Sequence, residues 1–389
     1  MHVLVVPSWY PTTEAPLQGI YFAEQARLLQ DEGLSVGVVY PEQQSLRRCS
    51  WQALRRKHFQ TAWTTDHGIP TLRRYGWNVW WRFPPGVRLR VRSAARLARR
   101  YVDRHGVPDL IHAHSARWAG AAAARISNIF STPYVLTEHF TGFQRDKIFP
   151  WRWPLVETGF QQASAIAAVS TPLKDTIISQ DLAEPSEVIV SPNLVRASLF
   201  TPPPDGRPEP PPFQFVTIAN LSSRKNISGL LDAFAKAFDK SSRVSLAIVG
   251  DGPERKTLET KTQQLGIAPQ ISFLGSLGRE AVRDALRNAH AFVLPSHQET
   301  FGVVVVEAMA TGLPVVATRC GGPEDIVTEE TGRLVPATDP EALAEALRTM
   351  RADWAAYDPD RIREHVLDRY GPEPFVQRTR SFYRRAGAV

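Results

Sequence analysis

Two glutamates, Glu299 and Glu307, stand eight positions apart in the run HQETFGVVVVEAMATGLPVVA, residues 297–317. The first follows a short apolar segment ending at Pro295. The second lies inside the apolar stretch that comes next. Carboxylates accept hydrogen bonds from hydroxyls, and ribose and hexoses present hydroxyls in pairs. With Val303–Ala310 as a helix, the unpaired N–H groups at Gly302 and Val303 form an anion site. Glu307 then sits about 8 Å along the axis from that end. A ligand with its phosphate at the helix start would offer a ribose to Glu307 and a hexose to Glu299, which is the shape of a nucleotide sugar. By spacing alone, two surface glutamates beside an apolar helix is the stronger reading.

A second group shifts that balance. The strand-like Phe213–Ala219 opens into Asn220-Leu221-Ser222-Ser223-Arg224-Lys225-Asn226, just before a helical pattern. Two adjacent cations at a strand's carboxyl end suit a diphosphate, the lysine as a point charge and the arginine as a planar fork. A solvated basic loop is the plainer alternative. Gly250-Asp251-Gly252-Pro253 and Gly275-Ser276-Leu277 follow two further strands. Either turn would let backbone approach a base or phosphate, and each alone is a weak signal. His112 and His114 alternate on a strand and share one face. They lack a third ligand, so no metal site is expected, and a lone histidine at a strand end is more often structural than catalytic.

These groups need strand ends to hold them, and the chain supplies strands at regular intervals. In the N-terminal half, Val3–Val6, Val36–Tyr40, Leu110–Ala113, Tyr134–Thr137 and Ala165–Val169 read as buried strands. Helical patterns such as residues 19–30 lie between them. Thr201 to Pro212 reads TPPPDGRPEPPP, with seven prolines in twelve residues, and is expected to be an extended interdomain linker. Beyond it the alternation restarts, with strands at Phe213–Ala219, Val244–Val249, Ile271–Leu274, Ala291–Pro295 and Val315–Ala317. The expectation is an α/β protein of two Rossmann-like, doubly wound domains, residues 1–200 and 213–370, with a C-terminal helix in 371–389.

Composition narrows the partners. Of the two cysteines, Cys49 and Cys320, neither has metal-ligand spacing around it, and a reducing compartment, the cytoplasm, is the natural home. No stretch approaches the roughly 20 apolar residues of a spanning helix. The N-terminal apolar run is too short for a secretory signal core, so the protein should be soluble or at most peripheral to a membrane. Residues 1–200 carry 23 Lys and Arg against 15 Asp and Glu, and the remainder 23 against 24. The excess gathers at Arg47, Arg48, Arg55, Arg56 and Lys57, and again at Arg88, Arg90, Arg92, Arg96, Arg99, Arg100 and Arg104. Trp51, Trp63, Trp77, Trp80 and Trp81 lie among or beside them, a mixture that suits an anionic membrane surface. A solvated arginine-rich helix face accounts for 88–104 equally well. No nucleic-acid recognition motif accompanies the charge, so nucleic acid is not expected as a partner.

Taken in order, the Arg224-Lys225 loop, the Gly250-Asp251-Gly252-Pro253 turn, the Glu299-x7-Glu307 pair and Cys320-Gly321-Gly322-Pro323-Glu324 resemble the retaining glycosyltransferases of family 4, which have the GT-B fold. PSWYPTTEAPLQGIYFAEQARLL, His112-Ala113-His114 and Thr137-Glu138-His139 resemble members that build bacterial surface polysaccharides. The likeness implies that Lys225 and Arg224 bind the donor diphosphate, Glu307 the ribose and Glu299 the transferred sugar. It implies that Gly19 approaches the diphosphate and that His114 or His139 lines the acceptor side. It implies a nucleotide-sugar donor and no metal or other cofactor. The likeness also implies domain closure over the donor and a final helix packed on the N-terminal domain. Apart from the likeness, base selection rests mostly on backbone contacts; uridine is favoured over guanosine, and a glycan or lipid-linked acceptor is expected. Many members carry Gly-Arg where this chain has Ala219-Asn220, and the usual Pro-Asn-Gly-Val run reads Pro192-Asn193-Leu194-Val195. An epimerase of the same fold, or a catalytically silent partner in a polysaccharide assembly complex, stands as the alternative.

Overall fold

The structure, a computed structural model, describes residues 1–44, 51, 59–77, 83–143 and 148–388. Arg47, Arg48, Cys49, Arg55, Arg56, Lys57, Trp80 and Trp81 lie outside the described residues. The chain forms two units, Met1–Pro192 with Phe375–Val389, and Asn193–Pro374.

The first unit is built on β1 (His2–Pro7), β2 (Ser35–Gln44), β3 (Thr61–Asp66), β4 (Ile69–Trp77), β5 (Leu110–His114), β6 (Tyr134–Glu138), β7 (Ala165–Ala168) and β8 (Val188–Val190). Their order is β3-β4-β2-β1-β5-β6-β7-β8. Every pairing is parallel except β3 with β4. Central strands covered on both faces need continuous apolar runs, and Val3, Leu4, Val5 and Val6 are all buried. The β3–β4 hairpin, which no apolar run announces, turns at His67 and Gly68, both with positive φ (52° and 86°), as a tight two-residue hairpin requires. The helix Pro84–His105 buries Val87, Val91, Ala94, Leu97, Ala98 and Tyr101 against this sheet. It leaves Arg88, Arg92, Arg96, Arg99, Arg100 and Arg104 exposed, an arginine-rich outer face.

The second unit carries β9 (Phe213–Ile218), β10 (Val244–Val249), β11 (Ile271–Gly275), β12 (Ala291–Leu294), β13 (Val315–Arg319) and β14 (Gly332–Pro336). All are parallel, in the order β11-β10-β9-β12-β13-β14. Phe213, Phe215, Leu230, Phe234, Leu246, Ile248, Val293 and Leu347 form its core.

The proline-rich run expected as a linker is part of this second unit. Arg207 donates through Nη1 to the carbonyls of Leu286 (2.9 Å) and Arg287 (3.1 Å) and through Nη2 to Thr311 O (2.7 Å). His290 Nε2 meets Pro208 O at 2.8 Å. One guanidinium and one imidazole thus satisfy carbonyls that a free linker would leave to water. At the other end of the chain, residues 375–389 belong with the first unit. Tyr383 Oη bonds His112 Nδ1 at 2.9 Å, and Arg380 Nη2 donates to Glu32 O at 2.8 Å.

In each sheet the chain winds outward one way and then returns to wind the other way. The order reverses between β1 and β5 in the first unit, and between β9 and β12 in the second. Such reversals open a crevice at the strands' carboxyl ends, where ligands of open α/β sheets bind. Among the described residues no helix is long and apolar enough to cross a membrane.

Candidate active site

In the second unit the strands beside the reversal deliver their following loops to one place. After β9 the chain makes a single 3₁₀ turn, Ser223–Lys225, and then Asn226 in the left-handed region (φ 49°). Asn226 Oδ1 accepts the N–H of Gly229 at 3.2 Å and caps the helix Ile227–Ala237, which fixes the end of the cation loop. The loop after β12 is tied to it. His297 N donates to Arg224 O (2.9 Å), and Arg224 Nη1 donates to Gln298 O (3.1 Å). The loop after β13 completes the clamp, with Glu299 N donating to Cys320 O (2.8 Å) and Gly322 N to Glu299 O (3.0 Å).

Glu299 is therefore held by its backbone, and its carboxylate meets Lys225 Nζ at 2.5 Å, Ser296 Oγ at 2.8 Å and Arg224 Nη1 at 3.6 Å. The structure brings Arg224, Lys225 and Glu299 together, and adds Ser296 to them. Two cations against one carboxylate leave a net positive charge in a half-buried site. The helix Val303–Ala310 starts on the same loop. Gly302 precedes it with φ 94°, and no side chain caps its first N–H groups. Fixed cations on the loop after β9 and a helix start on the loop tied to it suit an anion.

Glu307 is buried in that helix, and its carboxylate accepts from Arg279 Nη1. Arg279 opens the helix Arg279–Arg287 just after the Gly275 turn, with its guanidinium 4.9 Å from the Phe200 ring. A buried carboxylate needs such a partner, and Arg279, like Ser296, is a member of the group that sequence reading missed. Asn220 lies exposed on the cation loop. Gly250 answers to a different demand from the ligand approach expected of it. Its φ is 127°, and a Cβ there would fall 1.8 Å from Ala219 O. The glycine lets the β10 turn pack on the base of the cation loop, where Leu221 N donates to Asp251 O at 3.0 Å. Gly275 also has positive φ (71°) but only Arg255 Nη1 near it, at 3.7 Å. The Cys320 thiol is pushed up to about 12 by burial, so it stays protonated.

In the first unit Gly19 (φ 71°) precedes the helix Ile20–Asp31, buried where a Cβ would meet Trp9 O at 2.8 Å. His114 ends β5, and its Nδ1 lies 3.1 Å from His139 Nε2. The Phe22 ring packs on both, at 4.5 and 4.8 Å between centroids. Burial and the two neighbouring histidines hold His114 well below the ordinary imidazole range, so it is neutral and can hydrogen-bond without acting as a strong base. His112 has both ring nitrogens engaged, by Tyr383 Oη and by Thr137 Oγ1 (2.8 Å), and burial takes it down to about 3. It is a core histidine. Glu138 accepts the N–H groups of Ala116, His139 and Phe140, each at 2.7 Å, and so shapes the loop that carries His139. Burial still raises its pKa.

Two Rossmann-like units, one with a cation–carboxylate cluster at its strand reversal, define a glycosyltransferase of the GT-B type. The chain belongs to the glycosyltransferases: residues 18–199 match Glycosyltransferase Family 4, and residues 204–366 match Glycosyl transferases group 1. It is 29% identical over 365 residues, 89% of this chain and 88% of the relative, to TuaC of Bacillus subtilis, a protein named for teichuronic acid biosynthesis. Its fold is similar to that of the sucrose-phosphate synthase of Thermosynechococcus elongatus, with a TM-score of 0.81 at 21% identity and full coverage of both chains. It is also similar to Anabaena HepE, solved in complex with UDP-glucose, with a TM-score of 0.70 at 20% identity and 98% coverage of each chain.

Proposed function

We propose that this protein transfers a hexose, with retention, from a nucleotide diphosphate sugar to a cell-surface glycan or lipid-linked acceptor. One observation carries this reading: at the strand reversal of the second unit, Lys225 and Arg224 from the loop after β9 meet Glu299 on the loop after β12, which leads into an uncapped helix start. In this reading Lys225 and Arg224 hold the donor diphosphate and stabilise the charge that develops on it as the glycosidic bond breaks. Glu299, released from Lys225 by the phosphate, turns its carboxylate to the sugar hydroxyls, and Glu307 takes the ribose. The two cations and the helix start supply the positive potential, so the reading needs no metal. Retention follows from attack on the face that the diphosphate leaves, with the leaving phosphate guiding the acceptor hydroxyl. His114, neutral and beside His139, orients that hydroxyl by a hydrogen bond. The UDP-glucose complex of HepE favours a uridine donor, and the name of TuaC favours a surface polysaccharide. A cytoplasmic place on the inner membrane face fits the exposed arginines of Pro84–His105 and the exposed Phe83 and Leu89 beside them.

A thermal-shift screen of UDP-, GDP- and ADP-sugars and the free diphosphates tests the reading. A donor at 100 times its dissociation constant adds about 2.7 kcal/mol. For a unit of this size that raises the melting temperature by roughly 5–10 °C. No shift with any nucleotide would overturn the reading.

A further inference from the structure

The first unit contains a second group of cations, away from Lys225 and Arg224, at its own strand reversal. A pocket of about 290 Å³, toward the small end for a small-molecule site, opens at the carboxyl ends of β1, β2 and β5. Ser8 and Trp9 come from the end of β1, and Arg117 and Trp118 from just past β5. Arg90 comes from the helix Pro84–His105, and Arg152 from the single turn before the helix Trp153–Gln161. Gly86 and Val87, in the first turn of Pro84–His105, also line the pocket.

Three guanidinium groups converge here on aromatic and backbone supports. Arg90 lies 4.2 Å from the Trp118 ring, and Trp118 Nε1 is itself fixed to Ser8 O at 2.9 Å. Arg117 lies 5.1 Å from the Phe140 ring, and Arg152, only 6% exposed, lies 4.8 Å from the Trp151 ring. Among the described residues no carboxylate pairs with Arg90 or Arg117. Burial lowers the pKa of all three, and Arg90 and Arg152 are lowered further by the neighbouring guanidinium charge. Like charges gathered in a half-enclosed pocket repel one another, and a bound anion offsets that cost. The pocket is also beside the acceptor-side histidine, since Ser8 N donates to His114 O at 3.0 Å.

We infer that this pocket binds a phosphate group carried by the acceptor, so that the acceptor is a phosphorylated molecule whose phosphate rests on Arg90 and Arg117. Phosphate fits better than a lone carboxylate, because converging planar forks match several oxygens and more than one negative charge. The inference rests on the proposed transferase reading for its word acceptor, though not for the pocket itself.

Inorganic phosphate, titrated calorimetrically into the full-length Lys225→Ala variant, probes the pocket with the donor cluster weakened. Adding Arg90→Gln and Arg117→Gln should weaken phosphate binding about 10- to 100-fold per arginine, the scale of a charge-assisted bond. Arg90→Lys should lose less. Melting curves confirm that each variant folds, and UDP affinity of Arg90→Gln/Arg117→Gln in an otherwise wild-type chain should stay unchanged. Phosphate binding that is undetectable, or indifferent to both arginines, overturns the inference. Failure of the wild-type chain to bind UDP would instead strike the transferase reading and leave the phosphate titration standing. With a donor in hand, turnover on a polyprenyl phosphate in neutral vesicles, on a soluble hexose 6-phosphate and on the unphosphorylated hexose locates the source of the phosphate. Equal turnover on phosphorylated and unphosphorylated acceptors overturns the assignment.

Discussion

Lys225→Met interrogates the cation cluster most directly. Lys225 Nζ lies 2.5 Å from Glu299 Oε1, and the two side chains are only 13% and 8% exposed. Removing one member of a buried ion pair costs about 3–5 kcal/mol when the remaining charge is left uncompensated. Glu299 keeps Arg224 at 3.6 Å and the Ser296 hydroxyl at 2.8 Å, so the loss should fall to roughly 2 kcal/mol. In a unit of this size that lowers the melting temperature by about 4–8 °C. Turnover should respond on another scale, falling about 10²- to 10³-fold, as when one preorganised charge-stabilising donor is lost. Lys225→Met/Glu299→Gln separates the two effects. With both charges gone the double variant should be more stable than Lys225→Met yet no faster. Melting curves and initial rates, taken at one ionic strength with the donor that the thermal screen selects, supply both numbers. Wild-type turnover in Lys225→Met would refute the phosphate role. Strictly additive melting shifts in the two single variants and the double would refute the pairing itself.

Glu307→Ala should weaken UDP binding by about tenfold or more, measured by calorimetry, and unchanged affinity would remove the ribose role. Gly250→Ala should destabilise the second unit by more than about 2 kcal/mol, because its φ is unfavourable and its Cβ would strike Ala219 O; a wild-type melting temperature would contradict the packing argument. Acid should destabilise the first unit through His112, which burial holds at about 3, whereas the unfolded chain takes up its proton near pH 6.5. That contribution is complete above about pH 7 and is lost as pH falls toward 3, costing about 2 kcal/mol by pH 5. His112→Asn should flatten the pH dependence of the denaturant midpoint, and an unchanged slope would exclude His112 as its source. The arginine face of Pro84–His105 should draw the protein to anionic vesicles in a salt-sensitive way, about 1 kcal/mol per cation, and equal sedimentation with neutral vesicles would leave it a solvated face.

The parts of this structure legible in the sequence are those whose signal is local. β1, β5, β9, β10 and β12 are short apolar runs closed by turn residues, because strands covered on both faces cannot alternate. The β3–β4 hairpin hides among threonines, arginines and a proline, since it lies at the sheet's edge with one strand half-exposed. Proline content in 201–212 correctly argues against a helix. It cannot show that Arg207 gathers carbonyls from residues about 80 to 100 positions away and seats the segment in the second unit. The site divides in the same way. Each member of the Lys225–Glu299 pair could be placed at a strand end, but their meeting across 74 positions depends on β12 lying beside β9, which only the winding order decides. Arg279 carries no mark at all in the sequence: it is one arginine at a helix start, and it matters because Glu307 is buried within its reach. Glu299 and Glu307 thus look alike as letters, yet the fold assigns them different cations on loops from different strands. A ligand bridging the two must compete with two separate ion pairs, so the effects of Glu299→Gln and Glu307→Gln on donor affinity should be separable, and that separability follows from the strand order.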